Sequence, residues 1–301
     1  MRIRYWLLIG LLGSIWGCSF LFNAILIREL SPLWVSTLRV SVGAVICWLA
    51  ILATGRQVPR DLATYAQLLV LGLINYAIPF ALFPFAEQTV ASGLVGVINA
   101  MTPMTTVLVS QLWPGGEKAT WNKWLGVVVG FAGAIVLSLP ALGAGASGQV
   151  LGMLAAFAAT IFYAITLNYA RRFKAVDPFA VAASSLTGAA LASAPVALAV
   201  AGLPVITRVE TWSALFGIGV FSTGFAFLLL YWLLPRVGAT NLSLNTYLAP
   251  IAAITLGVVL LGERFELVHL VGIVIIFLGL VCMDGRIFRR GIVAPPPAAG
   301  A

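Results

Sequence analysis

The chain has 301 residues, 61% of them hydrophobic and 9% charged, with a formal net charge of +8. Its mean hydropathy is +1.07. Soluble domains carry roughly a quarter charged residues, so this composition excludes that class and points to a chain built for the bilayer.

Ten apolar stretches follow in chain order: 5–27, 33–54, 63–85, 90–112, 121–140, 149–170, 178–201, 211–234, 238–261 and 267–284. Each is close to the ~20 residues that a hydrocarbon core requires of a helix. The loops between them are too short for a separate soluble domain. The first stretch follows Arg2 and Arg4. It is too long for a signal-peptide core and no A-x-A-like site follows it, so it is read as a helix. Ser31-Pro32 and Asp177-Pro178 each place a capping side chain before a first-turn proline. Pro103 and Pro250 fall in the middle of the fourth and ninth stretches. A proline there leaves a carbonyl about one turn earlier without its helical donor. The pair reads either as hinges at mid-membrane or as ordinary membrane-helix prolines. Residues 143–148, Gly-Ala-Gly-Ala-Ser-Gly, read as a flexible external linker. The expected organisation is a five-helix unit over 1–140, a periplasmic linker over 141–148, a second five-helix unit over 149–285, and a disordered cytoplasmic tail over 286–301.

The two units repeat one another at an offset of 146 residues, as from Pro32 to Pro178. Gly116-Glu117 matches Gly262-Glu263, and Gly126 and Gly133 match Gly272 and Gly279; Pro103 matches Pro250 with one residue of slip. Two copies of an odd-spanning unit must sit in the membrane in opposite orientations. Inverted repeats of that kind build secondary transporters.

The basic charge follows the same plan. With the N-terminus inside, the inner loops and ends hold Arg2, Arg4, Arg56, Arg60, Lys118, Lys123, Arg171, Arg172, Lys174, Arg236, Arg286, Arg289 and Arg290, and the outer ones only Arg28, Arg208 and Arg264. The positive-inside rule then puts both termini in the cytoplasm, and no nucleic-acid partner is needed to explain the charge. Cys18, Cys47 and Cys282 lie within apolar stretches without ligand spacing and read as small buried thiols.

A mid-membrane cavity needs side chains that accept both apolar and polar ligand groups. Asn, Ser, Thr, Tyr and Trp do so without the cost of a buried charge. Trp16, Ser19 and Asn23 share one face of the first stretch. Tyr76, Phe80 and Phe83, with Asn75 beside them, mark the third, and Ser92, Gly96, Asn99 and Thr106 the fourth. Thr160, Tyr163 and Thr166 mark the sixth, Ser222 and Phe225 the eighth, and Asn241 and Asn245 the ninth. The substrate-binding set is thus Trp16, Ser19, Asn23, Tyr76, Phe80, Phe83, Asn99, Tyr163, Thr166, Ser222, Asn241 and Asn245. Each polar member has an alternative role as interhelical glue. Gly126, Gly130, Gly133, Gly272 and Gly279 read as close helix-packing positions.

All nine carboxylates fall in loops or at helix ends, and Glu87 is the best candidate for a proton carrier, although a solvated loop position is favoured for it. Arg39 is the one charge well inside a stretch. It can snorkel outward or fix a ligand carboxylate, and its place on a peripheral helix favours the structural role. No phosphate loop, metal-ligand cluster or nucleophile–histidine pair is present, and the chain has one histidine, so no enzyme, cofactor or metal site is expected.

Trp16-Gly17-Cys18-Ser19-Phe20, Pro32 with Arg39, Pro103, Gly116-Glu117 and Gly126 to Gly133 together resemble an EamA domain, and Pro250, Leu261-Gly262-Glu263 and Gly272 to Gly279 repeat the pattern. The second half departs where Phe162-Tyr163 stands for Trp16-Gly17 and Ser185 for Arg39. Over roughly residues 5–285 the chain is similar to the ten-helix EamA-type members of the drug/metabolite transporter superfamily. The resemblance implies an all-α polytopic fold of two inverted five-helix repeats around a central cavity. It also implies residence in the bacterial inner membrane and export of amino acids, aromatic ones included. Alternatives left open are a broad drug exporter, a nucleotide-sugar-type carrier and a non-transporting membrane scaffold. Expected partners are a small-molecule substrate and membrane lipid.

Overall fold

A computed structural model describes residues 2–285; the expected tail 286–301 lies outside the described residues. Among the described residues, nine helices are long and apolar enough to cross a membrane: Ile3–Leu26, Pro32–Thr54, Leu62–Glu87, Ser92–Leu112, Trp121–Gly143, Ser147–Phe173, Pro178–Ala201, Val209–Gly238 and Leu267–Asp284, with the shorter Asn245–Leu261 between the last two. They are called helices one to ten in chain order, Asn245–Leu261 being the ninth. Leu52, Leu112, Val200, Val259 and Leu267 are among many large apolar side chains left exposed on the outside of the bundle. An aqueous surface would not tolerate that belt, and a lipid-facing one requires it.

The caps form as the sequence suggests. Ser31 accepts from the Trp34 amide at 3.4 Å and Asp177 from the Phe179 amide at 2.8 Å, each satisfying one of a helix's orphan donors. The expected linker is much tighter than its composition suggests. Helix five runs to Gly143 and helix six starts at Ser147, leaving a turn at residues 144–146 with Gly145 at φ 64°.

Small residues set the packing. A Cβ on Gly272 would lie 2.7 Å from the Leu137 amide nitrogen, and one on Gly279 would lie 2.7 Å from that of Gly130. Helices five and ten therefore touch backbone to backbone, as the glycine spacing predicts. Helices two and eight also pack closely, the Thr223 side chain against Gly43 and the Val42 side chain against Gly219.

Four spans depart from plain α-helix within the predicted stretches. Leu73–Ala77 in helix three and Gly217–Phe225 in helix eight are π-helical. These segments correspond under the 146-residue offset, and such insertions change which face a side chain joins. Helix four breaks after Asn99 and restarts at Thr102, so Pro103 sits in a first turn, where its missing N–H costs nothing. In the ninth stretch Gly238 leaves helical geometry at φ 74°, and the helix proper begins at Asn245, with Pro250 inside it.

Candidate functional site

The helix breaks and the π-helical segment of helix three border one cavity of about 330 Å³. Helix one supplies Trp16, Ser19, Phe20 and Asn23, and helix three Asn75, Tyr76, Phe80 and Phe83. Asn99 and Thr102 come from the two sides of the break in helix four. Tyr163 and Leu167 come from helix six, Phe227 from helix eight, and Asn245, Thr246 and Ala249 from helix nine. Asn99 and Asn245 correspond under the 146-residue offset, and each stands at a helix break.

Aromatic rings form much of the wall. Trp16 meets Phe227 edge-on at 6.2 Å between centroids, Phe227 meets Tyr76 at 5.3 Å, and Tyr76 meets Phe80 at 5.6 Å. A second chain runs from Phe20 to Phe83 at 5.7 Å and on to Tyr163 at 5.9 Å. Such contacts hold the rings in place and leave faces and edges for a ligand.

Nine of the twelve predicted site residues line this cavity: Trp16, Ser19, Asn23, Tyr76, Phe80, Phe83, Asn99, Tyr163 and Asn245. The other three are placed elsewhere. Thr166 is buried on helix six, and Leu167, four residues on from Tyr163 and thus nearer its face, takes the lining place. Ser222 donates to the Ile15 carbonyl at 2.9 Å and joins helix eight to helix one. Asn241 donates back to the Val237 carbonyl at 2.8 Å. The π-helical segment Gly217–Phe225 explains the departure on helix eight. A wider turn shifts the register, so Phe225 points outward at 41% exposure and Phe227 reaches the cavity.

The two charged expectations are corrected. Arg39 does not snorkel outward. It is 5% exposed and lines the cavity, its guanidinium 3.6 Å from the Phe80 ring centroid. Its Nε donates to Thr223 Oγ1 at 3.0 Å and Nη2 donates to Ser19 Oγ at 3.3 Å. Glu87 is no solvated loop residue. It ends helix three at 8% exposure, and its Oε1 accepts from Asn23 Nδ2 at 3.2 Å. Hydropathy alone could not find either contact, because both depend on which helices become neighbours.

The two ends of the bundle differ in how a corresponding glutamate is used. At one end Glu263, beyond helix nine, caps the first half of helix four: the Ser92 amide donates to Oε1 at 2.6 Å and the Gly93 amide to Oε2 at 3.0 Å. Glu117 corresponds to Glu263 at the opposite end of the bundle. Its side chain is 69% exposed and pairs with Lys123 at 3.2 Å and Arg171 at 3.9 Å.

The comparisons agree with this architecture. The family model described as "EamA-like transporter family" matches twice, over residues 4–139 and 150–283. An uncharacterized transporter of Archaeoglobus fulgidus is 22% identical over 283 residues, spanning 92% of this chain and 98% of its own. The uncharacterized inner membrane transporter YedA of Escherichia coli is 24% identical over 291 residues, spanning 93% and 92%. Protein PecM of Dickeya dadantii is 23% identical over 283 residues, spanning 92% and 91%. A solved crystal structure superposes with a TM-score of 0.67 over 97% of this chain and 100% of its own at 23% identity, which shows a shared fold. With the family model covering both halves, this chain is a multi-pass membrane protein that belongs to the EamA-like transporter family.

Proposed function

We propose that this transporter exports neutral or zwitterionic metabolites, foremost amino acids with aromatic or apolar side chains, by alternating access. The observation that carries this reading is the cavity at the helix breaks, walled by aromatic rings and by the amides of Asn23, Asn75, Asn99 and Asn245. Its 330 Å³ lies at the small end of the ~300–1,000 Å³ typical of ligand sites. That suits an amino acid better than a nucleotide sugar. Among the described residues Arg39 is the one Lys or Arg in the lining, where a phosphate-ester carrier needs several.

The two family matches are read as inverted five-helix repeats, with both termini in the cytoplasm of a bacterial inner membrane. Thirteen of the 17 Lys and Arg fall on that side. In that orientation Glu263 seals the periplasmic end, while Glu117 stands off its corresponding helix start at the cytoplasmic end. Transport exchanges the two arrangements, with the breaks before Pro103 and Pro250 as hinges.

The burial of Glu87 favours a second reading, a broad exporter of lipophilic cations, because such ligands require a buried carboxylate. Arg39 in the same lining opposes it. The test is uptake by liposomes containing the purified protein, against a panel of amino acids and one lipophilic cation. Saturable movement of phenylalanine, leucine and tryptophan supports the first reading. Movement of the cation alone supports the second.

A further inference from the structure

Arg39 carries a buried charge without a buried counter-ion in contact. Among the described residues no carboxylate lies within 4.0 Å of it. Its partners are two hydroxyls and an aromatic face, all neutral. A guanidinium in that setting keeps most of its desolvation cost, which an anion in the cavity would offset. The Phe80 ring, Thr223 and Ser19 hold its plane and leave Nη1 without a hydrogen-bond acceptor among the described residues.

At the Asn23 side the cavity presents the reverse chemistry. Asn23 Oδ1, Glu87 Oε2 and Asn99 Oδ1 are buried acceptors without a hydrogen-bond partner among the described residues. The orientation of the Asn23 amide is set by its bond to Glu87, since a carboxylate accepts and the amide nitrogen must donate. Asn23 and Asn99 line the cavity and Glu87 stands behind Asn23, so the two unsatisfied amide oxygens call for a ligand with N–H donors. Arg39 and Glu87 carry opposite charges and do not pair directly.

We infer that Arg39 anchors the carboxylate of an α-amino acid, while Asn23 and Asn99 receive its ammonium group, with the Glu87 carboxylate behind Asn23 orienting that amide and supplying the counter-charge. This assignment rests on the zwitterion reading above and makes that reading specific: both charged groups are required, and the side chain is left to the aromatic walls. Thr102, Thr246 and Asn245 complete the polar lining around the helix breaks.

The test uses four probes that share one phenyl body: phenylalanine, 2-phenylethylamine, 3-phenylpropionate and 3-phenylpropanol. Binding to the purified full-length protein in nanodiscs is followed by calorimetry and by thermal stabilisation. The wild type is expected to bind phenylalanine about 10- to 100-fold more tightly than the amine or the acid, the loss that follows from leaving a charged hydrogen-bonding group unpaired. In Arg39→Gln the preference for phenylalanine over the amine collapses, while that over the acid remains. In Glu87→Gln the pattern reverses. Should Arg39→Gln not fold, Arg39→Lys keeps the charge and loses the planar fork. It is expected to keep a carboxylate preference at weaker affinity. Unchanged ratios in well-folded variants overturn the assignment while leaving amino-acid transport standing. Arg39-dependent binding of the acid without phenylalanine keeps the anion anchor, overturns the ammonium half and sinks the zwitterion reading. A wild type that binds none of the four sinks both.

Discussion

Glu263→Gln tests the seal proposed for the periplasmic end of the cavity. The carboxylate accepts from two successive amides, Ser92 at 2.6 Å and Gly93 at 3.0 Å, at the start of the first half of helix four. A glutamine retains one acceptor oxygen and loses the charge and the second bond. A hydrogen bond to a charged group contributes about 1.5–3 kcal/mol, and its interaction with the helix dipole adds a few tenths more. If the bonds exist only in the arrangement seen here, their loss moves the equilibrium toward the opposite one by about tenfold or more. The reporter is a cysteine at Val90, which is 6% exposed beside that helix start, in a background lacking Cys18, Cys47 and Cys282. An impermeant maleimide is applied to liposomes containing the protein, and the labelling rate is read in the presence and absence of Glu263→Gln. Expected is slow labelling with Glu263 intact and about tenfold faster labelling in the Glu263→Gln variant. Equal rates in proteins of matched thermal stability would show that the carboxylate caps a helix and gates nothing.

Three further outcomes follow from the packing and the site. Gly272→Leu places a Cβ 2.7 Å from the Leu137 backbone nitrogen and 3.0 Å from the Gly133 carbonyl. Neither can retreat, so overpacking of at least ~1–3 kcal/mol should appear as lost thermal stability and lower yield. Trp16→Ala and Tyr163→Ala should weaken transport of phenylalanine several-fold more than that of threonine, since aromatic pairing contributes about 0.5–1.5 kcal/mol beyond area burial. Asn99→Ala and Asn245→Ala should slow both alike, and competition assays on matched preparations separate the two patterns. Glu29 accepts hydrogen bonds from the Thr207 and Thr211 hydroxyls and from the Thr207 and Arg208 amides at 3.2 Å each, which hold its carboxyl down to about 2. A folded pKa below the unfolded ~4.3 means stability that is full above that value and is lost as the pH falls toward 2. Thermal melts of wild type and Glu29→Gln should therefore converge in acid and differ at neutral pH by a constant amount. A difference that grows above pH 6 would contradict the assignment.

The helices are legible in the sequence because lipid demands long apolar runs, and predicted boundaries differ from observed ones by a few residues at most ends. The polar stripes lead to Asn23, Asn99 and Asn245 because a regular helix carries every third or fourth residue to one face. That rule fails where the helix is not regular. The π-helical segment puts Phe227 where the stripe expects Phe225, and the break before Asn245 detaches Asn241 from the stripe it shares in sequence. Arg39 and Glu87 escape the pattern for a different reason. Distance from a helix end suggests how far a side chain can reach toward water, yet the neighbours decide whether it must. Helix two is pressed onto helix eight through Gly43 and Thr223, which turns Arg39 inward. Helix three extends through Glu87 to meet Asn23, which buries the carboxylate.

The most direct test of a single site exposed alternately to the two sides is accelerated exchange. Liposomes containing the purified protein are loaded with unlabelled phenylalanine, and the initial uptake of external labelled phenylalanine is compared with that into empty liposomes. Expected is faster uptake into the loaded liposomes, because a loaded carrier returns with its ligand, and loss of that stimulation in Arg39→Gln. Uptake that is equal in the two, or that does not saturate with concentration, would point to an open pore and contradict alternating access.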